Sequence, residues 1–363
     1  MGKFRKVLAI LTLSTLAVGC SSGTASTDTV EAINLNNLSL SEIETQAKAE
    51  GFISSVGMPD SWANWGETWQ DIENIYGIGH SDTDMSSAEE IAKMEAEKNN
   101  PTVDIGDVGI SFGPVALNRG VTQPYKTSYW NDIPDWAKDD EGHWIVGYTG
   151  TMAIITDKTK VDDLPKTWDD LKNGDYKISP GDVTTATQSQ NAVLSAAYAY
   201  GGDETNLQPG IDFFAEIAKE GRLSLGEVNI ANLEKGEIEV AFLWDFNALN
   251  YKDQIDPDRF DVTILDEAAV ISGYATIINK YAPNPHAAAL AREYILSDEG
   301  QINLARGYAK PIRDVELPAD VADKLLDSSE YVNVIPVNDF DAWEASAAEL
   351  PSKWQQEVLL YAY

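Results

Sequence analysis

The chain has 363 residues, 43% of them hydrophobic, and a formal net charge of -33 at pH 7. That length supports a sizeable core and two domains or lobes. So acidic a surface repels nucleic acid and anionic lipid headgroups, and a single cysteine, Cys20, excludes an internal disulfide. The chain opens with MGKFRK, a basic region, followed by VLAILTLSTLAV. This apolar run of about a dozen residues is shorter than the roughly 20 needed to span a bilayer. Small and polar residues, GCSSGTAST, come next. The order basic, apolar, small is that of an export signal over residues 1–19, not of a transmembrane helix. Residues 20–50 read as a Ser/Thr/Asn-rich tether and a leading helix.

That helix is SLSEIETQAKAEG, with Leu40, Ile43 and Ala47 at helical spacing and Gly51 as its stop. FISSVGM predicts a strand, and SAEEIAKMEAEKN a helix with a capping box from Ser87 to Glu90. VDIGDVGISF predicts a buried strand, and HWIVGYTGTMAIITD a long β segment. TWDDLKN is a short helix, KISPGD a strand end, and QSQNAVLSAAYAYGG a helix closed by Gly201 and Gly202. GIDFFAEIAKEG is amphipathic; ANLEKGE and IEVAFLWD predict a helix and a strand. DVTILDEAAVISGYATIINK is extended again, before the helical NPHAAALAREYILS. Strands alternate with helices, and no internal repeat is present, so the fold class is α/β.

Long strands cross near residues 150 and 270. They divide the chain into a first lobe, 51–150 with 271–363, and a second, 151–270. A ligand cleft lies between two such lobes, with helix starts directed into it. SPGDVTTATQSQNAV brings Thr184, Thr185, Thr187 and Gln188 to the first such helix start of the second lobe. Neutral donors beside free backbone N–H groups suit a phosphate, phosphonate or carboxylate. The bland alternative is that these residues are only caps and turns. The first lobe offers Asp60, Ser61, Trp62 and Trp65 in GMPDSWANWGETW, Ser86 and Ser87 at a further helix start, and the strand end SFGPV. Asp82 and Asp84 lack the glycine and distant glutamate of a calcium loop, so no metal and no cofactor is expected.

LAVGC resembles the lipobox of bacterial lipoproteins, with Cys20 as lipid acceptor. The run SGYATIINKYAPNPHAAALAREYILSDEGQINLARGYAKPIR, with YTGTMAIITDK and PKTWDDL, is similar to the extracellular solute-binding proteins of bacterial ABC importers, group 1. The iron, polyamine, thiamine and phosphonate binders are the nearest in kind. The resemblance implies a type II periplasmic-binding-protein fold, hinge closure on a small molecule, and an ABC permease as partner. It also implies a monomer outside the cytoplasmic membrane, held there by lipid on Cys20. In the iron binders the strand end corresponding to AFLWDFNALN carries a Tyr-Tyr pair. Trp244, Asp245 and Phe246 stand there instead, and Trp cannot supply the hard anionic oxygens that ferric iron wants. Trp244 resembles the packing tryptophan of polyamine binders, Asp245 could pair an ammonium, and Ser272 and Tyr274 in the return crossing are further candidates. The ligand expected is a phosphonate or phosphorylated metabolite, or a zwitterion such as 2-aminoethylphosphonate; the alternatives are a polyamine or thiamine, then ferric iron. An extracellular enzyme is the competing class. His80, His143 and His286 lie in unrelated contexts, and no nucleophile elbow, zinc spacing or P-loop is present.

Overall fold

The computed structural model describes residues 33–362; the expected export signal and Cys20 lie outside them. Ten strands form one sheet among the described residues. They are β1 Phe52–Val56, β2 Gly79–Thr83, β3 Ile105–Gly109, β4 Trp144–Asp157, β5 Ile178–Ser179, β6 Val240–Trp244, β7 Phe260–Thr263, β8 Ala269–Ile278, β9 Lys310–Pro311 and β10 Val334–Pro336. The main path runs β2-β1-β3-β8-β4-β6-β5, with β10 on β8, and β7 and β9 on β4.

Two α/β blocks share this sheet. In the first, β1 pairs parallel with β2 and β3, and the helices Trp65–Tyr76 and Ser87–Ala96 make the crossovers. In the second, β5 pairs parallel with β6, and the helices Thr187–Ala199 and Gln208–Lys219 lie between them. β4 and β8 join the blocks. Residues Trp144 to Thr151 of β4 pair with β8, and Met152 to Thr156 with β6, so its partners change at one peptide bond. β4 is buried along nearly its whole length and rich in β-branched residues, as a strand covered on both faces should be.

The second block packs around Trp168, which stacks on Phe242 at 5.3 Å and meets Phe213 edge-on. In the first block Arg292 is fully buried and donates to the carbonyls of Tyr125, Gly142 and Thr276. Burial lowers its pKa to about 9. Its planar fork ties a loop, a turn and β8 together.

Several local expectations are corrected. Leu40 is 45% exposed, because the leading helix Leu40–Glu50 buries Ile43 and Ala47 instead. The capping box joins Ser86 to Glu89, one residue earlier than expected, which turns Glu90 inward. SFGPV opens a helix, Phe112–Asn118, and residues after Trp244 form the helix Asp245–Ile255. The helix Phe340–Glu357 packs on Gln208–Lys219, with Trp354 edge-on to Phe214 at 5.4 Å. Tyr331, in the segment before it, reaches Asp245.

Candidate functional site

The carboxyl ends of β1, β2 and β3 and the start of the Thr187–Ala199 helix enclose a cleft of about 460 Å³. The first block supplies Gly57, Pro59, Trp62, Asp84, Glu90 and Asp107, with Met85, Ser86 and Ser87. The second supplies Thr185, Ala186, Thr187, Gln188 and Glu227, and Tyr274 of β8 completes the lining. No lysine, arginine or histidine is among these residues.

The first wall is carboxylic. Glu90 comes inward from the Ser87–Ala96 helix and passes against Gly57 and Gly106, where a Cβ would sit 2.3 and 2.5 Å from its carboxyl oxygens. Side chains at those two positions would displace it, so glycine is required there. Glu90 accepts from the Asp107 backbone N–H at 3.1 Å. Burial, then the charge of Asp107, raises the Glu90 pKa well above the ordinary range. Burial likewise raises Asp107 to about 8, although the Tyr148 hydroxyl donating to Oδ2 at 2.6 Å opposes it. Asp107 Oδ1 and Trp65 Nε1 are both buried without a hydrogen-bond partner, near enough for the indole N–H to favour the carboxylate. The outer member of this wall, Asp84, is exposed; partial burial and then Asp82 and Glu89 raise its pKa.

The floor is aromatic. Trp62 Nε1 donates to Tyr148 at 2.7 Å, which makes a relay of Trp62, Tyr148 and Asp107. The Trp62 ring stands edge-on to Phe246 at 5.4 Å and to Tyr274 at 5.5 Å, and Tyr274 stacks on Tyr148.

The opposite wall is a helix start without a side-chain cap. Among the described residues the backbone N–H groups of Thr187, Gln188 and Ser189 have no hydrogen-bond partner. Gln188 Oε1 accepts from Trp244 N at 2.9 Å and Asn247 Nδ2 at 3.0 Å, so its amide nitrogen remains as a donor. This wall therefore offers partial positive charge and donors. Thr187 also meets the first block directly: a Cβ at Gly109 would lie 3.0 Å from its methyl group.

A family model described as bacterial extracellular solute-binding protein matches residues 100–343. The chain belongs to that family. This solute-binding protein is 26% identical over 279 residues to a probable ABC transporter periplasmic-binding protein of Sinorhizobium fredii, covering 74% of this chain and 75% of the relative. Among solved structures it is similar to the periplasmic binding protein AfuA of Actinobacillus pleuropneumoniae with fructose-6-phosphate bound. The TM-score is 0.69 at 19% identity, over 85% of this chain and 98% of that one. It is also similar to a periplasmic thiamin binding protein, with TM-score 0.69 and 15% identity over 85% and 96% of the two chains. The Atu4243-GABA receptor gives 0.65 and 14% over 84% and 96%. At these identities the likeness establishes the fold, and it bears out the expected two-lobed, type II binding-protein architecture.

Of the residues expected in the solute-binding protein's site, Trp62, Ser86, Ser87, Thr185, Thr187, Gln188 and Tyr274 come together in the cleft. Ser86 is committed, its hydroxyl donating to Glu89, while Ser87 accepts from Gly109 N at 3.0 Å. Thr184 and Thr185 both donate their hydroxyls to Asp182, so neither offers that hydrogen to an anion. Asp60 and Ser61 are exposed and do not line the cleft. Trp65 and Trp244 are fully buried one layer behind it; Trp244 Nε1 donates to the Tyr274 hydroxyl at 3.1 Å. Asp245 braces the β4 crossing by accepting from Thr151 N at 3.0 Å and from the Tyr331 hydroxyl at 2.8 Å, with burial raising its pKa to about 6. Ser272 lines a separate cavity of about 330 Å³ with Ile110, Trp136, Val337 and Phe340. Sequence reasoning missed Gly57, Glu90, Asp107, Tyr148 and Glu227. The available signal was Asp107, a lone acid inside the apolar strand IGDVG, where a buried charge needs a reason.

Proposed function

We propose that this protein captures a small amine-bearing solute, foremost a zwitterion such as an aminoalkylphosphonate or a γ-amino acid, and delivers it to an ABC permease. One observation carries the reading: buried carboxyls of Glu90 and Asp107 and the uncapped start of the Thr187–Ala199 helix line one cleft that contains no basic side chain. The ammonium faces the carboxyls, the carbon chain lies against Trp62 and Tyr274, and the anionic end meets the free N–H groups. A phosphorylated sugar without an amine has no cationic partner on this lining and leaves the carboxyl wall opposed to its charge. A polyamine is the second reading, favoured by the exposed carboxylates Asp84 and Glu227, which offer a place for a second ammonium.

The lobes of this reading are 51–150 with 271–336, and 151–270 with the helix Phe340–Glu357. They close by bending at β4 and β8, and solute favours the closed form because only that form contacts it from both walls. The family and the LAVGC motif support a place outside the cytoplasmic membrane, with lipid on Cys20. Thermal-shift and calorimetric titration with 2-aminoethylphosphonate, 4-aminobutyrate, putrescine, thiamine, fructose-6-phosphate and methylphosphonate tests the solute class. Stabilisation by the amine-bearing compounds, lost in Asp107→Asn, is the expected result. Tight binding of fructose-6-phosphate or methylphosphonate that survives Asp107→Asn refutes it.

A further inference from the structure

Away from the cleft, two turns of the first block hold backbone conformations that side chains rarely adopt. Ala63 and Asn64 have φ of 47° and 59°, and Tyr308 has φ of 67°. Such residues persist only where their surroundings hold them. The two turns touch: a Cβ at Gly307 would lie 2.5 Å from the Ala63 carbonyl carbon, and Asn64 Nδ2 donates to the Asn303 carbonyl at 3.0 Å. Both turns also face one helix of the second block, Asp245–Ile255. Asn250 Nδ2 donates to the Ser61 carbonyl at 3.0 Å, and the Tyr308 hydroxyl donates to Asp253. Asn250 and Asp253 are three residues apart and so share a helix face. Gln254 donates to Asn250 Oδ1 at 2.8 Å, which aims the amide nitrogen at Ser61. None of Ser61, Asn250, Asp253 and Tyr308 lines the cleft, yet Ser61 adjoins Trp62, which does.

We propose that Asn250, Asp253 and Tyr308 form a clasp that holds the two blocks together without touching solute, setting the closed fraction of the empty protein. This rests on the reading that the lobes close around solute. A protein whose competent state is partly populated binds with an affinity reduced by that fraction. Each hydrogen bond of ordinary strength changes the closed-to-open ratio by about 2- to 12-fold. Trp62 and the carboxyl wall stay intact when the clasp is cut, so affinity changes without change of specificity.

The test is small-angle scattering of the empty full-length protein as wild type, Tyr308→Phe, Asn250→Ala and the double variant, beside calorimetry with 2-aminoethylphosphonate. Tyr308→Phe keeps the ring in its turn, so it separates the hydroxyl's role from packing. The expected result is a compact empty wild type and a stepwise larger radius of gyration in the variants. Melting temperatures should stay within about 3 °C, and any measured affinity should fall by the same factor as the closed fraction. Scattering profiles of all four proteins that coincide overturn the clasp. If they coincide and added solute still compacts the protein, lobe closure survives while the clasp fails. If they differ and 2-aminoethylphosphonate does not bind, the clasp stands and the solute class fails.

Discussion

Moving the pH across the range in which Asp107 titrates changes the charge of the carboxyl wall without changing its shape. Burial raises Asp107 to about 8, from an ordinary aspartate value of 3.8. About one Asp107 in a hundred is then ionised at pH 6, about one in ten at pH 7, and about nine in ten at pH 9. An ammonium that pairs with the ionised form must first displace the proton, at a cost of about 1.4 kcal/mol for each pH unit below 8. Affinity for 4-aminobutyrate should therefore rise about tenfold per unit from pH 5 to pH 7 and level off above pH 8. Glu90, also raised by burial, steepens this rise where the two share protons. Calorimetry in two buffers of different ionisation enthalpy should count about one proton released per solute at pH 6. Stability runs the other way. Because the folded-state pKa lies above the unfolded one, the folded chain binds more protons between about pH 4 and pH 8, and stability falls as pH rises through that window. Asp107→Asn should thus raise the melting temperature at pH 8, by an effect on the order of a few kcal/mol, while losing amine binding. Affinity that is flat from pH 6 to pH 8, or proton uptake on binding, refutes the reasoning.

Gly109→Ala places a methyl 3.0 Å from the Thr187 methyl group and props the walls apart; affinity should drop roughly tenfold, in line with ~1–2 kcal/mol of overpacking, and Thr187→Ser should restore it. Trp62→Phe keeps the apolar floor and removes the donor to Tyr148, so calorimetry should show a loss of ~1 kcal/mol in binding with little change in melting. Arg292→Leu leaves the carbonyls of Tyr125, Gly142 and Thr276 without their donor; urea unfolding should show a loss on the order of 3 kcal/mol or more, with solute preference unchanged.

Elements with a strong local signature were legible in the sequence. β1 ends where FISSV meets glycine, β4 follows its β-branched run, and the Pro285–Ile295 helix begins at its Asn-Pro. The Asp245–Ile255 helix was hidden because Trp244 and Phe246 continue the apolar run of β6 in sequence although the backbone turns between them. The Phe340–Glu357 helix carries Pro351 inside it, a residue that argues against a helix until tertiary packing of Trp354 outweighs it. Cleft-lining residues on strand-to-helix turns, such as Thr187, could be found from local chemistry alone. Trp244 and Asp245 were misread because sequence distance does not tell which face of a strand end meets the cleft. Glu90 and Asp107 were missed for a different reason. Glu90 looks like an ordinary polar helix position until the Gly57 and Gly106 backbones are seen to make room for its carboxyl, and Asp107 stood out only as a lone acid in an apolar strand.

The chain's last fifty residues are fastened at the crossing strands and on the second block. Val334–Pro336 lies along β8, Tyr331 holds Asp245 at the crossing of β4, and Trp354 is seated on Phe214 in the second block. The tail therefore adds a strand beside β8 at the crossing and an aromatic seat on the second block, so changes in it bear on the join between the blocks rather than on the residues that line the cleft.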